Sequence, residues 1–157
     1  MFNIGDKVAY PMHGAGLIES IEDKQILGET RSYYIVRIKH GNMQVMVPVN
    51  GAEAVGLRFV VSKDRLGPVY ETLGAESTAM DDNWNRRNRE NMDKLKTGDL
   101  ISVAEVIRNL ARVDRVKKLS TGEKKLLNNA RQILSSEMVM VLGIDEAAAL
   151  EMIDQAI

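Results

Sequence analysis

The chain has 157 residues, a formal net charge of −1 and no cysteine. That length suits one domain or two small ones, and 45% hydrophobic with 27% charged residues is ordinary for a globular chain. The absence of cysteine excludes disulfides, thiol catalysis and any cysteine-ligated metal site.

The amino terminus, Met1-Phe2-Asn3-Ile4-Gly5-Asp6, lacks the basic-then-apolar order of a signal peptide, and no apolar run approaches membrane-spanning length. A soluble, cytoplasmic protein is expected. Residues 1 to 49 read as strands. Val8-Ala9-Tyr10 runs into Pro11, and His13-Gly14-Ala15-Gly16 reads as a turn or bulge where glycine supplies backbone freedom. Leu17 to Ile21 follows, and Gly28-Glu29 breaks the pattern. Ser32 to Ile38, rich in aromatic and β-branched residues, is the clearest strand. His40-Gly41-Asn42 is a turn, and Met43 to Val47 alternates before Pro48. Four or five short strands in this span indicate a small SH3-like barrel. In its last strand the spacing puts Met43, Val45 and Val47 inward and leaves Gln44 and Met46 outside. Met46 is then an adaptable apolar residue suited to a protein interface.

From Ser62 the periodicity turns helical. Ser62 to Leu73 is interrupted by Gly67-Pro68, and Gly74 to Asp82 is a polar loop. Trp84 to Lys96 reads as a helix capped by Asn83 or Asp82 and ended by Thr97-Gly98. Val103, Val106, Ile107, Leu110 and Val113 form the stripe of the next helix. Ser102-x-x-Glu105 resembles its capping box, and Arg108, Arg112 and Arg115 sit on the opposite face. Ser120-x-x-Glu123 is a second capping box, ahead of Leu126 to Val141. Gly143 closes that helix, and Asp145 caps a last one reaching Gln155. Helices with one apolar stripe each must pack on one another, so the second half is an all-α bundle.

Charge is distributed unevenly. Asn83 to Arg131 holds thirteen Lys/Arg against six Asp/Glu, a balance of +7, while the segment from Gln132 onward carries five acids and no base. A basic middle beside an acidic end suggests one polyanion-facing surface; a set of solvated helix faces is the plainer alternative. At its start lies Trp84, the only tryptophan, with Arg86, Arg87 and Arg89 within five positions. A flat apolar ring beside guanidinium groups suits the edge of a nucleic-acid duplex, the arginines neutralising phosphates while the ring leans on an unstacked step. Burial of Trp84 in the core is equally compatible with helix phase, since it lies in line with Asn88 and Leu95.

Gly5-Asp6-x-Val8-x-Tyr10-Pro11-x-His13-Gly14, with the later Val47-Pro48-Val49, resembles the amino-terminal module of the CarD/CdnL family of bacterial transcription regulators, a module shared with the transcription-repair coupling factor. Asn83-Trp84-x-Arg86-Arg87, Leu95-x-x-Gly98-Asp99, Leu119-Ser120-x-Gly122-Glu123-Lys124 and Ala130-Arg131-x-Ile133-Leu134 resemble the second half of the same family, in the same order. The resemblance implies an α+β chain, with a Tudor/SH3-like RNA polymerase interaction domain at residues 1–60 and a helical DNA-binding domain at residues 61–157. It implies docking on the polymerase β subunit and a DNA contact at the upstream edge of the melted −10 region. The open promoter complex would be stabilised there without a sequence-specific operator. On the matching positions, Trp84 is the minor-groove wedge, and Arg86, Arg89 and Lys124 contact phosphates with Arg87 adjacent. Lys24 occupies a polymerase-facing position that is basic in relatives, whereas Met46 stands where some relatives have a base. A monomer associated with the nucleoid through polymerase is expected.

Enzymatic chemistry finds little support. His13 and His40 each lie in a glycine-bearing turn without a ligand cluster, so neither a metal nor another cofactor is expected, and His13 is expected to brace its own turn. Gly14-Ala15-Gly16 lacks the helix and third glycine of a dinucleotide site, and no phosphate-binding Gly-Lys-Ser/Thr occurs. Asp81-Asp82 is simpler as a polar helix start than as paired catalysts. The alternative function is a protein–protein adaptor with no DNA contact, in which Trp84 is core or an interface anchor.

Overall fold

The computed structural model describes residues Met1–Ile157. Five strands come first: β1 (Lys7–Tyr10), β2 (Gly14–Ile26), β3 (Glu29–Ile38), β4 (Met43–Pro48) and β5 (Arg58–Phe59). Five helices follow: α1 (Leu66–Gly74), α2 (Trp84–Lys96), α3 (Leu100–Val116), α4 (Thr121–Leu142) and α5 (Glu146–Ala156).

Period-two patterning makes the strands an antiparallel meander in the order β4-β3-β2-β1-β5, with β4 and β5 as its edges. Val8, Ile18, Tyr34, Val36, Ile38 and Val47 point to one side, where Phe2, Ala52 and Leu57 complete the core of the sheet. Phe2 meets Tyr34 edge-on with ring centroids 5.6 Å apart, and its N–H donates to the Tyr34 hydroxyl at 3.1 Å. Aromatic pairs of this kind add about 0.5–1.5 kcal/mol beyond their buried area. Leu27-Gly28, both at positive φ (53° and 80°), make the two-residue turn between β2 and β3, as the right-handed twist of a hairpin demands.

Several details differ from expectation. β2 begins at Gly14, so the turn is only Pro11 to His13, and Gly14 and Gly16 lie inside the strand. Their lack of a side chain serves close approach. A Cβ at Gly14 would lie 2.5 Å from Ser136 Oγ on α4, and one at Gly16 would collide with the Arg37 carbonyl oxygen of β3. Residues 50 to 61, which carry no clear strand pattern, contribute the two-residue β5 paired with β1. In β4, Val47 is buried and Val45 partly so, but Met43 at the strand end is half exposed.

Apolar stripes of the helices converge on a second core containing Leu95, Val103, Ile107, Leu110, Leu134, Met138 and Ile153, each worth about 1.5–3 kcal/mol on full burial. Pro68 is tolerated in the first turn of α1, where its missing N–H has no helical partner to lose. The cap of α3 is Asp99, whose side chain accepts from the Ser102 N–H, so the helix begins before the expected Ser102 cap. Arg108 is also not on an outer face. It is 3% exposed, and it donates to the Thr72 carbonyl at 2.9 Å and to Asn109 Oδ1 at 3.1 Å. Burial pulls its pKa down, though it remains an arginine with every incentive to stay charged. Arg112 donates to Ala75 and Leu73 carbonyls. Together these arginines anchor the start of the 75–83 loop that leads into α2.

Sheet and bundle meet directly. The Ala15 N–H donates to Ser136 Oγ at 2.9 Å. Arg58 reaches from β5 to Glu137 of α4 with bonds of 2.8 and 3.0 Å, and also donates to the Gly98 carbonyl. The Val61 N–H donates to the same Glu137 carboxylate at 2.8 Å, and that side chain is 1% exposed. His40 lies 3.1 Å from Glu146 at the other end of the seam.

Candidate nucleic-acid interface

Asn83 sets the site. Its backbone is extended and its side chain accepts from the Arg86 N–H at 3.0 Å, so α2 begins at Trp84. The Asn83 N–H donates to Asp81 Oδ1 at 2.8 Å, which fixes the approach of the loop. α2 buries Asn91 and Leu95 against the bundle; Trp84 shares their phase but is the first residue of the helix, and its ring is left half exposed there. Trp84 is 46% exposed and belongs to neither core. Core burial, open on helix phase alone, is thereby excluded in this structure.

The exposed ring is nevertheless held. Its Nε1–H donates to Ser120 Oγ at 3.3 Å, and a Cβ on Gly122 would stand 3.6 Å from Cζ2, an ordinary contact. Ser120 caps α4 by accepting from the Glu123 N–H. The amino ends of α2 and α4 therefore lie side by side, and their unpaired N–H groups and dipoles favour an anion in front of them.

Of the five expected DNA-contacting residues, four stand at the surface here. Trp84, Arg86 and Arg89 lie on the first turns of α2, and Lys124 on the first turn of α4, all exposed. The side chain of Arg86 is 68% exposed and makes only a loose 3.6 Å contact with Asp81. Arg87 is different. It is bidentate to Glu123 at 2.9 and 3.2 Å and donates to the Asp81 carbonyl at 3.1 Å. Glu123 is 5% exposed, and its hydrogen bonds push the Arg87 pKa above its ordinary value. Expected beside the phosphate contacts, Arg87 here gives its donors to Glu123 and the Asp81 carbonyl and braces the loop against α4. Beside this brace opens a cleft of about 540 Å³ between the loop, α3 and α4, with exposed Lys117 and Lys118 on its wall. These two cations were not singled out from the sequence. Nothing in their local pattern separates them from the other basic residues of the segment.

On the sheet, strand register puts Ser20, Ile35 and Met46 side by side, then Glu22, Tyr33 and Pro48, then Lys24 and Arg31. Met46 and Lys24 therefore share one face of the sheet, opposite the Val8–Val36 core. Met46 is 45% exposed on edge strand β4, and Lys24 pairs with Glu22 at 3.1 Å. On the same face Glu19 accepts from Gln44 at 2.8 Å and from Arg37 at 3.0 Å. His13, as expected, braces its turn. It donates to the Pro11 carbonyl at 3.1 Å and stacks on Tyr10 with centroids 5.0 Å apart. No helix is long and apolar enough to cross a membrane.

The family description "CarD-like/TRCF RID domain" matches residues 2–61, and "CarD, C-terminal domain" matches residues 68–154. A relative from Bacillus subtilis (strain 168), "Putative transcription factor YdeB", is 40% identical over 146 residues, which is 93% of this chain and 95% of the relative. The solved structure "CdnLNt from Myxoccoccus xanthus" is 38% identical and covers 40% of this chain and 89% of its own, with a TM-score of 0.35. Two family domains in sequence and a relative similar from end to end establish that the chain belongs to the CarD family of transcription regulators.

Proposed function

We propose that the protein docks on the RNA polymerase β subunit through the sheet face bearing Met46 and Lys24, and that it stabilises the open promoter complex through Trp84. Residues 1–60 are the docking domain in this reading and residues 61–157 the DNA-binding domain. The observation that carries it is the half-exposed Trp84 at the joint of two helix amino ends, flanked by the exposed cations Arg86, Arg89 and Lys124.

Opening a promoter exchanges stacked pairs for a bubble whose upstream fork can re-anneal. A ring that enters the minor groove at that fork binds the open state better than the closed one, and only such differential affinity shifts the balance. Unstacking a step costs a few kcal/mol, so one ring and three phosphate contacts act on the right scale. Tethering through the polymerase raises the local concentration, so each contact can be weak and indifferent to sequence. The Arg58–Glu137 ion pair and the Ala15–Ser136 hydrogen bond tie sheet to bundle and hold the proposed docking face and wedge at a set spacing.

The test is the lifetime of open complexes formed by the cognate polymerase with wild-type protein and with Trp84→Ala. A stacking contact is worth about 1–3 kcal/mol, so the variant should forfeit roughly tenfold of the gain in lifetime while still binding polymerase. Wild-type protein that binds polymerase and leaves the lifetime unchanged would favour the adaptor function instead.

A further inference from the structure

Trp84 is exposed, yet it is not free. Its Nε1–H is directed at Ser120 Oγ at 3.3 Å, and that oxygen also accepts the Glu123 N–H at 3.3 Å while donating to Glu123 Oε1 at 3.4 Å. Glu123 in turn grips Arg87, and Arg87 reaches back to the carbonyl of Asp81, three residues before the ring. The indole is thus held at its N–H edge by the cap of α4, and its backbone is held by the same helix through Arg87. Gly122 lies beneath the ring edge with no side chain to displace it.

A side chain at the surface ordinarily hops between staggered χ1 wells within nanoseconds. A wedge that spends only part of its time in the productive rotamer binds with an apparent affinity reduced by that fraction. We propose that Ser120 is a positioning residue for the wedge: by accepting the indole N–H it keeps Trp84 in one orientation before any nucleic acid arrives, and Glu123 anchors Ser120 in that role. The inference rests on the reading of Trp84 as the DNA-contacting wedge. Because the protein has a single tryptophan, the intrinsic fluorescence and the one indole N–H resonance report on this side chain alone.

Ser120 has two jobs, capping and holding, and they can be separated. Glycine caps nearly as well as serine but carries no hydroxyl, whereas threonine keeps both. Full-length Ser120→Gly should retain helix content and melting behaviour. It should also show a lower tryptophan anisotropy and easier acrylamide quenching, and lose two- to threefold of the open-complex lifetime gain, the factor expected when a ring is released among two or three wells. Ser120→Thr should match wild type in all of these. On the wild-type protein alone, the indole N–H should exchange with solvent more slowly than that of free indole; exchange at the free rate would overturn the inference even if the glycine variant failed to fold. Unchanged anisotropy in Ser120→Gly, or a loosened ring with an undiminished lifetime gain, would overturn it too. Trp84→Ala separates this failure from that of the wedge reading. If the alanine variant loses the gain while Ser120→Gly keeps it, only the positioning role falls; if the alanine variant keeps the gain, both fall together.

Discussion

Arg58 and Glu137 form a two-pronged ion pair across the seam between sheet and bundle, with bonds of 2.8 and 3.0 Å and the carboxylate 1% exposed. Glu137 also accepts the Val61 N–H. Removing Arg58 strands a buried carboxylate with one neutral donor. Arg58→Met is therefore expected to cost about 3 kcal/mol and to lower Tm by roughly 6–12 °C, measured by thermal denaturation. Arg58→Met with Glu137→Leu should recover most of that loss, because an apolar pair leaves no charge uncompensated. A double variant as unstable as the single one would mean that the pair acts through something other than charge.

Arg87 and Arg89 differ by two positions and should behave oppositely. Arg87→Met breaks a bidentate pair with a carboxylate that is 5% exposed and is expected to destabilise by about 2–3 kcal/mol. Arg89→Ala, on an exposed side chain, should stay within about 0.5 kcal/mol of wild type and weaken only the binding of DNA. Urea titrations beside fluorescence-monitored DNA binding separate the two effects.

The proposed phosphate contacts of Arg86, Arg89 and Lys124 predict a definite salt dependence. Each neutralised phosphate contributes about −0.9 to the slope of log K against log salt, so a forked duplex should show a total near −3. The slope for Lys124→Ala should be shallower by about one. A slope near zero would remove direct phosphate contact from the reading.

Met46→Glu is expected to fold normally, because the side chain is 45% exposed on an edge strand, and to weaken association with polymerase by placing a charge at the proposed apolar contact. Calorimetric binding to the isolated β-subunit fragment reads this directly. Unchanged affinity would put Met46 outside the contact.

The Glu19 carboxyl is held below the ordinary carboxylate range, first by its hydrogen bond from Gln44 and then by that from Arg37. A depressed folded-state pKa means that this stabilisation is fully present above the unfolded value, near 4.5, and is lost as pH falls through the folded one. Thermal melts taken from neutral pH into acid should therefore fall more steeply below about 4.5 for wild type than for Glu19→Gln.

What the sequence discloses about this molecule is what acts locally. Caps announce themselves because the donor and acceptor lie within one turn. Asn83, Ser120 and Asp145 each accept from the N–H three residues on, and Gly143 closes α4 in the left-handed conformation. The same locality explains the error at α3, where Asp99 and Ser102 both fit a cap and only the preceding Gly98 turn decides between them. The family motif pointed to Trp84, but whether its ring was inside or outside depended on α4, and Ser120 lies 36 positions away. Arg58 and Glu137 are 79 apart, on a two-residue strand and a long helix, so neither period nor composition links them. The arginines show the limit most clearly. Counting charge treats Arg87, Arg108 and Arg112 alike with Arg89, yet the first three spend their donors on the protein's own carbonyls and carboxylates.

The seam also bears on how such a protein can be inherited or rebuilt. Ser136 fits against a glycine, and Glu137 beside it needs an arginine and a free amide from the other half. A sheet grafted from a distant relative would leave these neighbours on α4 facing the wrong surface. The two halves can be exchanged only if positions 14, 58, 136 and 137 travel together, so substitutions there should appear in matched sets rather than singly.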